Sequence, residues 1–132
     1  MDVTRAPAQV IERLWARMSA RDWTGLGELI AEDVVVDWPS SAERIVGRAN
    51  YVAVNAEYPE GWSIRVLGIV ADGDRVVSEV EVPMEGAETF RVASFWTVRD
   101  GVVTHATEYW TTVDGDPSPE WRRRLVEPMP LG

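Results

Sequence analysis

The side chains that this chain lacks restrict its chemistry strongly. Its 132 residues include no cysteine, which excludes disulfide bonds, thiol nucleophiles and thiolate metal sites. All thirteen basic residues are arginines, so there is no lysine for Schiff-base or phosphate-loop chemistry. His105 is the single histidine, and one chain therefore cannot supply a centre of two or three histidines. Catalysis would have to use carboxylates, arginines and hydroxyl groups, and we expect neither a metal nor an organic cofactor.

Composition and charge exclude several classes of partner. With 45% hydrophobic and 27% charged residues the chain has the make-up of one folded domain, which we place over residues 1–132. The net charge of −9 opposes nucleic acids and anionic membranes, which bind through lysine and arginine. There is no apolar run of signal-peptide or membrane-span length. We expect a cytoplasmic protein whose partners are neither nucleic acid nor membrane.

Hydrophobic spacing predicts three helices and one strand in the first half. Over residues 4–21 the apolar positions recur every three or four residues and form one stripe: Val10, Ile11, Leu14, Trp15 and Met18. Asp22 predicts the cap of a second helix that ends near residue 31. A β-branched run over 34–38 is typical of a strand, and a third helix is predicted over 47–58.

The second half has the alternation of an antiparallel meander. Four strand-like runs cover residues 63–71, 75–85, 88–99 and 102–113. The Asp-Gly dipeptide at 100–101 predicts a two-residue hairpin turn, and counting back from it sets the register of the last two strands. One face of that hairpin would then hold Arg91, Ala93, Phe95, Ala106, Glu108 and Trp110.

Aromatic residues fall on both faces of this predicted hairpin, so both faces should be covered. One layer of helices covers one face, and we expect a second copy of the chain to cover the other. This predicts a homodimer through the outer sheet face around Phe90, Trp96 and Tyr109, with His105 at the interface or surface. The tail over 114–132 is proline-rich and predicts one short helix beginning after Ser118.

The order of elements and several short segments resemble a known superfamily. The segments are Leu29–Val34, Ile45–Gly47, Val98–Val103 and Glu108–Trp110. Together they resemble the nuclear transport factor two-like superfamily, and within it the SnoaL-like polyketide cyclase group. The resemblance covers roughly residues 10–112. It implies an α+β fold, a cone-shaped barrel of three N-terminal helices packed on a strongly curved, mainly antiparallel sheet, with an internal apolar pocket and a core of about residues 8–113.

The superfamily contains several chemistries, so its fold does not supply a function. Ketosteroid isomerases use an Asp base and an oxyanion hole of Tyr and Asp, and the matching positions here hold Trp38, Leu14 and Ala93. The isomerase groups are therefore absent. The resemblance to limonene-type epoxide hydrolases is better, because their arginine and last-strand carboxylate match Arg91 and Glu108.

Asp37 has two possible places under this resemblance. It could occupy the position of the asparagine that holds water in the epoxide hydrolases, whereas the isomerase alignment turns it outward. We keep Asp37 as a catalytic candidate beside Glu108 and Arg91. Polyketide cyclases place an acid/base carboxylate in the cavity, and Glu108 is the best match for that role.

Two interpretations of Glu108 remain open at the level of sequence. A carboxyl group on an apolar inner face is desolvated, which raises its pKa and makes it useful as a general acid or base. Alternatively, Arg91 pairs with Glu108 across the ladder in a structural ion pair that leaves the carboxylate inert. A substitution of Glu108 by glutamine separates the two, because only the second interpretation strands a buried guanidinium.

The remaining candidates are residues that would contact a substrate. Trp38, Phe95 and Trp110 are expected to form pocket walls, although large aromatic residues also fill cores. Tyr51 and Asn55 stand one helical turn apart and either present a hydroxyl and an amide to the pocket or simply pack and cap. Leu14 completes this set.

The sequence thus supports a first hypothesis and two alternatives. The first is a cofactor-independent acid/base enzyme of isomerase, cyclase or epoxide-hydrolase type that acts on a small apolar carbonyl, enol or epoxide compound. The second is a protein that binds a small hydrophobic ligand without catalysis, with Arg91 and Glu108 neutralising each other. The third is a dimeric structural module with a filled cavity. An open pocket and the distance between Arg91 and Glu108 discriminate among them.

Overall fold

The computed structural model describes residues 5–130. Its helices are α1 (Pro7–Ser19), α2 (Trp23–Gly27) and α3 (Arg48–Ala56), followed near the C-terminus by a 3₁₀-helix (Glu120–Leu125). Its strands are β1 (Ile30–Trp38), β2 (Glu43–Val46), β3 (Arg65–Asp72), β4 (Arg75–Pro83), β5 (Thr89–Arg99) and β6 (Val102–Thr112). The four strands of the meander begin and end within two residues of the predicted bounds. The second helix is shorter than predicted, because β1 already begins four residues before the β-branched run.

All six strands form one curved mixed sheet. Their order is β2-β1-β6-β5-β4-β3, and every neighbouring pair is antiparallel except β1 and β6, which run parallel. The α+β class and the mainly antiparallel curved sheet are confirmed. The sheet does not close into a barrel, because β2 and β3 remain as its two edges.

The helices cover one face of the sheet, which we call the inner face. The predicted stripe of α1 is buried on it, and Trp15 from this stripe meets Trp96 of β5 edge to face at 5.9 Å. Both indole N–H groups donate to the hydroxyl of Ser78 on β4, at 3.2 and 2.8 Å. This shared acceptor satisfies two buried donors at the centre of the core.

The register of the last hairpin differs from the prediction by one residue. The turn itself is as expected, with positive φ at Asp100 and Gly101 and with Arg99 opposite Val102. A bulge then leaves Thr104 without a partner, so that Thr97 lies opposite His105 and Ser94 opposite Glu108. The extra residue in β6 shifts the alternation of the two strands by one position. Residues of β5 that the prediction placed beside Glu108 therefore lie on the opposite face of the sheet.

Because of this bulge, several residues of β5 lie on the face opposite to the one predicted. Phe90 and Trp96 lie on the inner face, where Trp96 is fully buried, and they cannot form the predicted dimer contact. Phe95 and Tyr109 lie on the opposite, outer face of the sheet and remain partly exposed. His105 is exposed on that outer face, as the sequence predicts.

The tail after the last strand holds one short helix. The short helix predicted in the tail is the 3₁₀-helix, from which Trp121 and Leu125 project into solvent. Within residues 5–130 no helix is long and apolar enough to cross a membrane. The same part of the chain contains no group of three histidine or acidic side chains placed to hold a metal ion.

Candidate functional site

A largely apolar cavity of about 290 Å³ opens between the helices and the inner face. Most of its wall is aromatic, and the residues that form this part are Trp15, Trp38, Tyr58, Trp62, Phe90 and Trp110. Its polar lining residues are Ser40, Ser41 and Asn55, together with Tyr58. No charged side chain of the described chain lines the cavity. The arrangement suits a neutral, mainly apolar molecule.

Packing fixes the aromatic walls around the cavity. Trp38 ends β1, and its ring meets that of Trp110 on β6 edge to face at 6.1 Å. Phe90 on β5 holds the other side of Trp110 in a second edge-to-face contact at 6.3 Å. The turn after β1 is tied to β6 because the Ser40 hydroxyl donates to the carbonyl of Trp110 at 3.3 Å. Trp38 and Trp110 therefore lie in the wall of the cavity.

Glu108 lies on the inner face of β6, two residues before Trp110, with only 3% of its surface exposed. Its carboxylate accepts hydrogen bonds from Trp38 Nε1 at 3.0 Å and from Ser94 Oγ at 2.7 Å. No basic side chain of residues 5–130 pairs with it. Burial raises the pKa of Glu108 above its ordinary value, although the hydrogen bonds from Ser94 and Trp38 partly oppose that shift.

Glu108 adjoins the cavity without lining it. The indole of Trp38 contacts both, because its N–H group donates to Glu108 and its ring forms part of the cavity wall. A buried carboxyl with a raised pKa next to an apolar cavity has the environment of a general acid or base. Within residues 5–130 the only donors that hold it are the neutral Trp38 and Ser94, so no cation fixes Glu108 in its charged form.

The expected pairing of Arg91 with Glu108 is wrong. The bulge turns Arg91 to the outer face, where its Nε atom lies 3.1 Å from Glu81 Oε2. Arg65 Nη2 lies 2.6 Å from the other oxygen of the same carboxylate. Phe95 moves to the outer face for the same reason, and its expected place in the cavity wall is also wrong.

Asp37 points away from the cavity, as one of the two alignments required. It alternates with Trp38 on β1, and its carboxylate is held by Arg44 of β2 at 2.6 and 3.0 Å. The hydrogen bond from Arg44 lowers the pKa of Asp37. The three expected catalytic residues are therefore not brought together, and Glu108 alone adjoins the cavity.

Helix α3 places two further candidates near Glu108. Tyr51 is fully buried, and its pKa is raised well above its ordinary value by burial and secondly by the charge of Glu108. The amide of Asn55 lines the cavity and donates from Nδ2 to the Tyr51 carbonyl at 2.9 Å. Leu14 is completely buried in the core and is not part of the cavity lining.

Sequence reasoning missed several residues of this site. The register counted from the turn without a bulge puts Ser94 on the face opposite Glu108, whereas in the structure Val92, Ser94 and Trp96 alternate as one buried face with it. Trp62 lies outside the regular strands, in a single bridge with Met84, and no periodicity marks it. The aromatic character of Trp15 and Phe90 was visible, but their place in the cavity wall depends on the packing of α1 and β5.

Comparison with known proteins places this geometry in a family. The family profile of the SnoaL-like domain matches residues 11–106. Among solved structures, a Kribbella flavida protein provisionally assigned as a ketosteroid isomerase is 32% identical, with a TM-score of 0.86 over 95% of this chain and 90% of its own. No protein with curated function matches the chain at a significant level.

Two further solved structures share the fold. One is a nuclear transport factor two-like protein of unknown function from Burkholderia xenovorans, 26% identical, with a TM-score of 0.77 over 94% of this chain and 95% of that one. The other is an epoxide hydrolase of the limonene type from Mycobacterium tuberculosis, 19% identical, with a TM-score of 0.69 over 80% and 82% of the two chains. The chain belongs to the SnoaL-like domain family of the nuclear transport factor two-like superfamily.

Proposed function

We propose that this protein is a cofactor-independent acid/base enzyme that acts on a small, neutral, mainly apolar molecule bearing a carbonyl, enol or epoxide group. The observation that carries the proposal is Glu108, a buried carboxyl without a cationic partner, directly behind the wall of an open apolar cavity. The raised pKa brings its two protonation states closer together near neutral pH. The open volume of about 290 Å³ supports this proposal over the third hypothesis, a filled cavity.

For a carbonyl substrate the reaction is a proton transfer. The carboxylate of Glu108 removes a proton from the carbon beside the carbonyl. The electron pair of that C–H bond forms a carbon–carbon double bond, and the π pair of the carbonyl group moves to its oxygen to give the enolate. The carboxyl group then returns the proton to the same carbon or to another one, so the enzyme ends unchanged. Contact requires the bound molecule to displace the Trp38 indole from Glu108 Oε1.

The shielding by Trp38 favours a second candidate function. If the indole stays between Glu108 and the cavity, the protein binds a small hydrophobic ligand and Glu108 positions Trp38 through their hydrogen bond. Arg91 has no part in this candidate, because it pairs with Glu81 on the outer face. The two candidates share the cavity and differ in whether Glu108 exchanges a proton with the ligand.

Exchange of the hydrogens beside the carbonyl of 1-tetralone in D₂O, followed by NMR, separates the two candidates. We expect the wild-type protein to accelerate exchange and Glu108→Gln to lower that acceleration about 10²–10⁴-fold. The matched control is Glu79→Gln, which alters an exposed carboxylate on the outer face. Hydrolysis of styrene oxide tests the epoxide alternative with the same variants. Binding without either reaction would support the second candidate and refute catalysis on these substrate classes.

A further inference from the structure

One arginine connects the end of α1 to the segment over 57–64, which joins α3 to β3. Three residues of this segment line the cavity: Tyr58, Trp62 and Ile64. Nε and Nη2 of Arg21 lie 3.0 and 2.8 Å from the two carboxylate oxygens of Glu60, and Nη2 also donates to the carbonyl of Trp62 at 2.7 Å. A single guanidinium group therefore holds both an acidic side chain and the backbone of this segment.

The same guanidinium group packs on the ring of Trp62. Its central carbon lies 3.3 Å from the centroid of that ring, which is the geometry of a cation–π contact. The ring of Trp23 lies beside the indole, with the two centroids 6.5 Å apart. Trp62 is buried, and its ring cannot turn without losing the contact with Arg21.

The backbone of Arg21 is unusual for an arginine. Its φ is 59°, in the left-handed region that favours glycine. The amide of Asp22 donates to the carbonyl of Arg17 at 2.8 Å and that of Arg21 to the carbonyl of Met18 at 3.1 Å. This pair of bonds commonly ends a helix with glycine at the position of Arg21. Arginine carries a conformational cost there that glycine would not, and its side-chain contacts offset that cost.

We propose that Arg21 is a positioning residue of the cavity, whose guanidinium group fixes the side chain of Trp62 as a rigid part of the wall before a ligand enters. This inference rests on the proposed use of the cavity and concerns how tightly a ligand binds in it. A wall that is already ordered spares the ligand the entropic cost of ordering a large side chain. Arg21 does not line the cavity, so it acts through Trp62 and not on the ligand or on Glu108.

Arg21 also caps α1, and the test has to separate this role from the proposed one. Its Nη1 donates to the carbonyl of Ser19 at 3.0 Å, a bond that stabilises the helix end without acting on the segment over 57–64. Arg21→Gly removes the guanidinium group and keeps a residue that adopts the left-handed backbone easily. Arg21→Asn is the second variant, because asparagine also tolerates that conformation.

Amide hydrogen exchange tests the contact in the ligand-free protein. The amide of Ser63 donates to the carbonyl of Pro83 at 3.1 Å, a bond that joins the segment over 57–64 to the end of β4. We expect Arg21→Gly to accelerate exchange of this amide at least about 10-fold, the factor that corresponds to one hydrogen bond to a charged group. The amide of Gly47, hydrogen-bonded before α3, should exchange at the wild-type rate.

Binding and turnover of 1-tetralone test the consequence for the cavity. Without Arg21 the ligand has to order the side chain of Trp62 itself, so the dissociation constant measured by calorimetry should rise about 2- to 10-fold. The exchange reaction should show the same rise in KM with kcat unchanged, because Glu108 keeps its hydrogen-bond donors. A role in capping α1 alone would move neither the dissociation constant nor KM.

Asp114→Gly is the matched control for the change in the backbone. Asp114 has a φ of 60°, almost that of Arg21, and it lies after β6, outside the lining of the cavity. The substitution introduces glycine at an equivalent conformation and removes one charge without affecting the contacts of Trp62. We expect wild-type exchange of the Ser63 amide and wild-type affinity for 1-tetralone in this variant.

The outcomes distinguish this inference from the proposed function. Wild-type exchange of the Ser63 amide in both Arg21→Gly and Arg21→Asn would overturn the positioning role and leave the proposed function intact. So would an unchanged dissociation constant for 1-tetralone in both variants, or a fall in kcat at constant KM, which would place the effect at Glu108. Failure of the wild type to bind 1-tetralone would count against the proposed function and overturn this inference with it.

Discussion

Glu108 on the inner face and Glu81 on the outer face are both nearly inaccessible, with 3% and 8% of their surfaces exposed. Glu81 is held by two guanidinium groups, and the hydrogen bond from Arg91, followed by that from Arg65, lowers its pKa. Glu108 is held by a hydroxyl and an indole, and burial raises its pKa. The pKa values of these two glutamates on one sheet are therefore shifted in opposite directions.

The difference shows that burial and partners together decide what a carboxylate can do, because desolvation outweighs two neutral donors at Glu108, whereas the hydrogen bond from Arg91 outweighs desolvation at Glu81. On the outer face the arginines fix the charged state and give Glu81 a structural role. On the inner face the only partners are neutral donors, which tolerate either protonation state of Glu108. The same contrast explains why the cavity side of the sheet carries the candidate chemistry.

The largest effect on stability is expected from Glu108→Leu. This substitution removes the acceptor of both Ser94 Oγ and Trp38 Nε1 and should destabilise the protein by about 2–4 kcal/mol, the cost of leaving two buried donors unpaired. Glu108→Gln keeps an acceptor oxygen and serves as the matched control, with stability equal to or above that of the wild type. Urea denaturation at pH 8 measures both. Wild-type stability in the leucine variant would show that these hydrogen bonds do not hold the site.

The pH dependence of stability should reveal the raised pKa of Glu108 directly. The folded state binds the proton of Glu108 more tightly than the unfolded state does. The contribution of Glu108 to the stability of the folded protein is therefore lost as the pH rises from the ordinary pKa of 4.5 through the raised value. Relative to Glu108→Gln, the wild type should lose up to about 1.4 kcal/mol per pH unit within that window. Parallel denaturation series from pH 4 to pH 9 measure the difference. A constant difference across the series would contradict the raised pKa.

Glu81→Gln should change the pH dependence of stability in the direction opposite to that expected for Glu108. The lowered pKa of Glu81 means that its charged form stabilises the folded state above the ordinary pKa, and that this contribution is lost as the pH falls through the lowered value. We expect the substitution to lower the melting temperature at neutral pH and to matter little in acid. Glu79→Gln, on the same strand and exposed, should change the melting temperature less at every pH. Equal effects of the two variants would show that the arginine contacts contribute nothing measurable.

Local signals in the sequence were sufficient for most of the fold. The Asp-Gly turn at 100–101, the β-branched run that ends at Trp38 and the apolar stripe of α1 each predict structure from neighbouring residues alone, and the turn, the end of β1 and the buried stripe lie as expected. The bulge at Thr104 has no such local signature, because a β-branched residue fits a regular strand equally well. Its consequences are not local, since it reverses which residues of β5 share a face with Glu108.

The site was therefore predictable in part. Glu108 and Trp110 both follow the bulge at Thr104 in β6, so their spacing of two residues keeps them on one face, and the structure brings them together with Trp38 of β1. Arg91, Phe95 and Ser94 depend on the register across the hairpin, and their faces were exchanged. Val92, Trp96 and Val98 alternate as apolar residues and so indicate the core face of β5. If that face is fixed first, Glu108 can share it only when the hairpin contains a bulge.

The smallest effect is expected from Asp37→Asn, which tests the candidate that the structure places on the outer face. Asp37 is paired with the exposed Arg44, and such surface ion pairs contribute little to stability because water screens them. The melting temperature should change little, and exchange of 1-tetralone hydrogens should proceed at the wild-type rate, because the side chain points away from the cavity. The same NMR and denaturation measurements used for Glu108→Gln apply. A loss of exchange as large as that of Glu108→Gln would mean that Asp37 reaches the substrate, and the contrast between the two faces would then fail.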